Sequence, residues 1–283
     1  AGIYLADVVI SGLNTFFGDV KRAGVTEPMQ NKLILPEVTD PKLWYTVDHL
    51  PWADDDKHIF SFYAYPNRDI AINTDLVKPE EIQSWQDLLN PKFKGKIIWS
   101  DPSIAGSGFN GFSTMLVNKV TDENFYRQMV AKQEITLTRD LRQIVEWLAR
   151  GKYAVSISAE GGPVAEFLDA GAHITNIGVK EGTYLSVSAG NVSIMAKAPH
   201  PNAAKVLVNW LLSKDGQDFA QKAMKYMSAR NDIVAEGIVK PIQIRRPGER
   251  YFRGANSMEK WVLEEQDKYI ALAKDIFGPV IGR

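Results

Sequence analysis

Short runs of β-formers alternate with helical apolar periodicities along nearly the whole chain, and this alternation is the strongest constraint on its fold. Ala6 to Gly12 is an apolar run closed by a turn signal and reads as a buried strand of a parallel sheet. Asn14 or Thr15 can cap the helix that follows, and Gly24 can end it. A parallel strand needs neighbours, and only five residues precede this one, which hints at missing chain. Residues 26–58 carry Pro28, Pro36, Pro41 and Pro51 and read as irregular, with Asp54-Asp55-Asp56 as a solvated loop. Phe60 to Asn73 reads as two strand segments with a bend at Pro66-Asn67.

Further on, Ser84-Trp85-Gln86-Asp87 has the spacing of a capping box, and Asn90-Pro91 stops the helix it opens. Gly95 to Ser100 predicts a strand that runs into Asp101-Pro102 and the small-residue loop Ala105-Gly106-Ser107-Gly108. Helices are expected over 109–118 and 122–131, and another through Leu141, Ile144, Val145 and Leu148, stopped by Gly151. Tyr153 to Ser158 is the next strand, turned by Glu160-Gly161-Gly162-Pro163 into a short helix ending near Gly171. Asn191 to Lys197 alternates like a strand. Ala203, Val206, Leu207, Trp210 and Leu211 form the clearest amphipathic stripe, and a last helix is expected over about 257–276. The alternation of strand and helix argues for an α/β fold class, and there is no internal repeat, low-complexity tract or flexible linker.

Composition narrows the function classes. The 283 residues suit one large domain or two ordinary ones. Lys plus Arg number 33 and Asp plus Glu 34, for a net charge of −1, so the basic excess of a dedicated nucleic-acid binder is missing. No apolar run approaches the ~20 residues of a membrane helix. The chain has no cysteine, which removes disulfides, thiolate nucleophiles and Cys-based metal sites and leaves the compartment open.

Gly106-Ser107-Gly108-Phe109-Asn110-Gly111 matches G-x-G-x-x-G after a strand, but the acidic strand end that a dinucleotide site needs is replaced by a helical stretch. Two readings stay open for the loop: a tight turn without ligand, or exposed N–H groups at a helix N-terminus that favour an anion or polar oxygen. His49, His58, His173 and His200 lack metal spacing and read as surface or loop residues. No nucleophile elbow, Walker A motif or spaced carboxylate pair occurs. Tyr63, Tyr65, Arg68 and Arg230 are candidates for a polar cleft, each also readable as ordinary packing or a solvated side chain.

The order of segments resembles a known family. Asn67-Arg68-Asp69-Ile70-Ala71-Ile72-Asn73-Thr74-Asp75-Leu76-Val77 leads to Ser84-Trp85-Gln86-Asp87-Leu88-Leu89-Asn90-Pro91, then to Lys92-Phe93-Lys94-Gly95-Lys96-Ile97 and the Ser/Gly loop. Later come Ala203 to Gln217 with a Ser-x-x-Gly-Gln turn, and Ser228-Ala229-Arg230-Asn231-Asp232. From Ala6 to about Asp232 this is similar to the extracellular solute-binding proteins of ABC importers, in the branch related to ferric-iron binding proteins.

The resemblance implies a two-lobed type 2 periplasmic-binding fold with crossover hinge strands and a ligand cleft between the lobes. Residues 1–66 would be lobe one, lacking its first strand–helix–strand unit. Residues 67–190 would be lobe two, 191–240 a return to lobe one, and 241–283 a helical segment packing back on the lobes. Carried over, the ligand contacts are Ser11, Gly12, Thr15, Tyr65, Arg68, Ser107, Gly108, Ser158, Glu160, Gly161 and Arg230, with no catalytic or metal-binding residue and no cofactor. The implied function is capture of a small polar or anionic organic solute and delivery to ABC permease membrane subunits. The implied protein is a periplasmic or extracytoplasmic monomer, without enzymatic activity or nucleic-acid partner. Iron-binding relatives carry adjacent tyrosines where this chain reads Ser158-Ala159-Glu160-Gly161-Gly162, so tyrosinate ligation of iron is disfavoured. The rival readings are ferric-iron capture through other ligands, with Glu160 and Tyr153 or Tyr184, and a two-lobed α/β enzyme acting on an anionic metabolite.

Overall fold

A computed structural model describes residues 5–159, 162–187 and 189–281. Strand β1 (Val8–Ser11) leads into a short helix, α1 (Leu13–Thr15), extended by a wider turn over Phe16–Val20. Then come β2 (Thr26–Glu27), α2 (Pro36–Thr39), β3 (Phe60–Ser61), β4 (Tyr65–Asn67), β5 (Ile70–Asn73) and β6 (Ile97–Ser100). Two helices, α3 (Ser107–Val117) and α4 (Glu123–Gln133), precede β7 (Thr136–Thr138), α5 (Leu141–Ala149), β8 (Val155–Ile157) and α6 (Gly162–Asp169). The remainder is β9 (Ile174–Ile177), β10 (Thr183–Ser186), β11 (Asn191–Met195), α7 (Pro201–Leu212), α8 (Lys214–Met224), β12 (Tyr251–Arg253) and α9 (Gln266–Phe277). The Ser84 capping box forms as read, ahead of a tight helix over Trp85–Leu89.

The chain divides into two units, one of Ala1–Pro66, Leu185–Pro247 and Asn256–Glu264, the other of Asn67–Tyr184, Gly248–Ala255 and Glu265–Arg283. Two of the boundaries, after Pro66 and after Tyr184, fall inside strands β4 and β10.

In the first unit, β11 pairs antiparallel with β1, β2 and β3. The expectation of a buried parallel strand at Ala6–Gly12 is therefore corrected. The partner of β1 lies far downstream, runs the other way, and leaves Ile10 50% exposed. Asn14 and Thr15 do not cap α1; Gly12 holds the cap position with extended backbone and no side-chain bond. Leu13, Phe16, Phe17, Ala53 and Ile59 form the core under this sheet, with Val262 packed against it. Asp54, read as solvated, is buried: its carboxylate accepts from the backbone N–H of His58 and Ile59 and from Lys21 Nζ, which also donates to Glu259.

Most of the stripe read on α7 faces outward, and its last member, Leu211, turns inward. Val206 is 70% exposed and Trp210 44%, while Ala204, Val208, Leu211 and Leu212 are buried. The helix is apolar on both faces, so periodicity alone could not choose the buried one. Packing chose it, aided by Asn209, whose amide accepts from Ile34 N at 2.8 Å and donates to Lys32 O at 2.8 Å. Val206→Lys is therefore expected to change stability by no more than about 0.5 kcal/mol. Leu212→Ala should cost about 2–5 kcal/mol, and urea unfolding of the two variants checks the orientation.

The second unit is built on a five-stranded sheet ordered β7-β6-β8-β5-β9. β7, β6 and β8 run parallel, whereas β5 runs against both β8 and β9. Ile98, Ile144, Val145, Leu148 and Tyr153 fill one core, consistent with the helical spacing of α5. A second aromatic core gathers Trp99, Phe112 and Tyr126 around Phe277 of α9.

Candidate functional site

The sheet register of the second unit collects polar residues at one end. Because β6 and β8 are parallel, with Trp99 beside Ile157, Ser100 at the end of β6 and Ser158 just past β8 lie at the same end of the sheet. Strand β5 runs oppositely, with Ile70 beside Ile157, so Arg68 and Asp69 enter the sheet at that same end. In open α/β sheets this carboxyl end of the parallel strands is where ligands bind.

Helix α3 begins there. Its seating depends on Gly108: a methyl on that residue would stand 2.0 Å from Ser100 O and 2.9 Å from Asp101 O. Ser107 Oγ donates to Ser100 Oγ at 3.3 Å. The turn ahead of the helix is pinned by Asp101, whose Oδ1 accepts from Ser103 N at 2.9 Å and Ser103 Oγ at 2.6 Å, while Oδ2 accepts from Arg139 at 3.1 Å. Burial alone would raise the Asp101 carboxyl, but the Ser103 hydrogen bonds and the Arg139 charge outweigh it and hold it below the ordinary carboxylate value. The first N–H groups of α3 thus start from a fixed turn, with the positive end of the helix dipole behind them.

Ser158 stands opposite. Its backbone is left-handed, φ +63°, which a residue with a Cβ adopts at a cost. Its N–H donates to Asp69 O at 2.7 Å, and its Oγ is buried without a hydrogen-bond partner among the described residues. Gly111 on α3 makes room for it: a methyl there would lie 3.1 Å from Ser158 Oγ and 3.2 Å from Asp69 Oδ2. Asn176 Nδ2 ties the same end by donating to Arg68 O at 2.8 Å and Ala159 O at 3.1 Å. Beside this, Asn67, Arg68, Asp69, Trp85, Met115 and Thr183 line a small recess of about 10 Å³, partly open to solvent. Buried Arg68 lies there with its guanidinium on Glu249.

Of the expected contacts, the structure brings Arg68, Ser107, Gly108 and Ser158 to this one end of the second unit. Glu160 and Gly161 lie outside the described residues. In the first unit, Ser11, Gly12 and Thr15 sit at the turn from β1 to α1; Ser11 O accepts from Asn191 Nδ2 at 2.9 Å, and Thr15 is exposed. Tyr65 stacks on Tyr226 at 5.0 Å and packs against Met227, Ala235 and Val239. Two candidates are corrected. Arg230 is fully buried, with Nε and Nη2 on the Asp232 carboxylate, both at 2.9 Å, and Nη1 on the carbonyls of Glu37 and Leu212. Its guanidinium also lies over the Trp44 ring, so its fork is taken up by contacts within the fold. Tyr63 is likewise buried, its hydroxyl donating to Ala220 O, and burial pushes its phenol up to about 12.

Sequence reasoning missed Asp69, Ser100, Asn176 and Asn191 as neighbours of these positions. Asp69 lay inside the Asn67–Val77 segment already singled out, but its proximity to Ser158 is a matter of strand register. Among the described residues no three His, Asp or Glu side chains gather as a metal site, and no helix is long and apolar enough to cross a membrane.

The family model for bacterial extracellular solute-binding proteins matches residues 61–223, and the chain belongs to that family. An uncharacterized protein of Haemophilus influenzae is 26% identical over 204 residues, a match that takes in 67% of this chain and 56% of the relative's length. Among solved structures, the periplasmic binding protein AfuA of Actinobacillus pleuropneumoniae, with exogenous fructose 6-phosphate bound, is similar over 99% of this chain and 84% of its own. The TM-score is 0.63 at 21% identity. Ferric iron-binding protein A of Mannheimia haemolytica, in an open conformation, is similar over 96% of this chain and 82% of its own, with a TM-score of 0.70 at 17% identity. These likenesses show the fold, the two-lobed type 2 periplasmic-binding architecture expected from the sequence.

Proposed function

We propose that this chain is the solute receptor of an ABC importer, working outside the cytoplasm as a monomer. In this reading it captures a small polar or anionic organic solute without turning it over and hands it to the permease subunits. The observation that carries the reading is Ser158. A buried hydroxyl without a partner among the described residues, on a left-handed backbone, facing Gly111 at the end of the sheet where α3 begins, is a donor set aside for something else. Family membership supports the class, and the fructose 6-phosphate in AfuA supports a phosphorylated or otherwise anionic organic solute. Ser107, Gly108 and Arg68 are the proposed companions of Ser158. Ser11, Gly12, Thr15 and Tyr65 are the contributions proposed for the first unit, and Glu160 and Gly161 complete the proposed set. An organic solute is favoured over iron because the adjacent tyrosines of the iron binders are missing from the sequence.

The test is a thermal-shift panel of fructose 6-phosphate, other sugars and sugar phosphates, citrate, phosphonates and amino acids. At least one compound should raise the melting temperature of the wild type. Ser158→Ala, which deletes one hydroxyl and creates no clash, should bind that compound about tenfold more weakly without losing stability. A panel without a single stabilising compound would count against the receptor reading.

A further inference from the structure

The recess at the end of the second unit contains a full positive charge, and the chain itself supplies the anion that sits on it. Arg68 is buried, with its side chain 3% exposed, yet its Nη2 donates to both oxygens of Glu249, at 2.9 and 2.7 Å. Glu249 comes from a segment remote in sequence, residues 248–255, and its carboxylate is 31% exposed. The two ends of the pair are therefore unequal: the cation is fixed and buried, whereas the anion reaches it from the solvent side.

The segment that carries Glu249 is anchored independently of its carboxylate. Thr183 N donates to Arg250 O at 2.9 Å, and Ala255 N donates to Thr114 Oγ1 at 2.9 Å. Gly182, with φ +105°, lets Arg250 approach so closely that a methyl there would stand 2.7 Å from Arg250 O. Tyr251 Oη donates to Glu249 Oε2 at 2.5 Å, which aims the carboxylate. Glu249 can thus leave Arg68 by a side-chain rotation while the strand stays in place.

We propose that Glu249 is a built-in anion that occupies Arg68 and is exchanged for the anionic group of the solute, so that it sets which solutes are accepted. This rests on the reading of Arg68 as a solute contact. A neutral polyol offers the guanidinium nothing better than a carboxylate. A phosphate monoester brings more charge and three acceptor oxygens to the same fork and displaces the single carboxylate. Glu249 therefore selects for dianionic groups and against neutral look-alikes.

Inorganic phosphate is the probe, because it reports on the Arg68 charge whatever the natural solute is. The full chain and its Glu249→Gln variant are titrated with phosphate, reading the melting temperature at constant ionic strength. Glu249→Gln should bind phosphate at least tenfold more tightly than the wild type, and Arg68→Gln combined with Glu249→Gln should lose that gain. An equal or smaller phosphate response in Glu249→Gln would overturn the proposal and make the pair a structural tie only. A gain that survives in the double variant would overturn it as well, by placing the anion elsewhere. Either failure is separate from failure of the receptor reading, which is decided by the wild type against the organic panel.

Discussion

Gly108→Ala is expected to destabilise the second unit by about 3 kcal/mol or more, and to abolish solute capture with it. The added methyl would stand 2.0 Å from Ser100 O and 2.6 Å from Ser100 C, which are backbone atoms at the end of β6. A flexible side chain could swing away from such a contact, but a strand held in a ladder on both sides cannot. Helix α3 must then lift off the sheet. That lift also separates Ser107 from Ser100 and moves Gly111 from its place against Ser158 and Asp69. Gly18→Ala is the matched control, because a methyl there meets nothing within 4 Å. It should fall within about 1 kcal/mol of wild type. Urea unfolding of both variants, followed by ligand titration below the transition, checks the difference.

Asp232→Ala should cost about 3 kcal/mol and leave solute affinity unchanged. Arg230 is fully buried, and Asp232 is its bidentate partner; the nearest other carboxylate, that of Glu37, is 3.6 Å away. Removing Asp232 strands most of a buried charge that the protein cannot shed by deprotonation. Burial alone would raise the Asp232 carboxyl, but the hydrogen bonds and charge of Arg230 hold it below the ordinary value. Every Arg230 contact described above ends on the protein, at Asp232, Glu37, Leu212 and the face of Trp44. A variant that is less stable but binds the solute with wild-type affinity confirms the brace. A variant that loses affinity while folded would return Arg230 to the site.

Local signals survived folding better than long-range ones. The Ser84 capping box, the helix α5 with its buried Ile144, Val145 and Leu148, and the start of α3 within the Gly-rich loop all depend on residues three or four apart. The direction of β1 does not: it is set by β11, about 180 positions later, and an apolar run looks the same in a parallel or an antiparallel ladder. The face of α7 was illegible for another reason. Val206, Leu207 and Trp210 compete with Ala204, Val208 and Leu212 on an evenly apolar helix, and the buried amide of Asn209 settles the choice.

The candidate site shows the same division. Ser107 and Gly108 were readable from a glycine-rich turn after a strand. The closeness of Ser158 to Asp69 follows from the register of β5 on β8, and its left-handed backbone is imposed by the surrounding structure. Arg230 and Asp232, two residues apart, carried a sequence hint of a mutual pair, which a cleft assignment overlooked.

The most direct test is native mass spectrometry of the purified chain, alone and after incubation with the compound that stabilises it best. The receptor account predicts one small polar or anionic organic molecule per chain, released on denaturation with its mass unchanged. Recovery of a chemically converted product, or a chain that holds no small molecule under either condition, would contradict it.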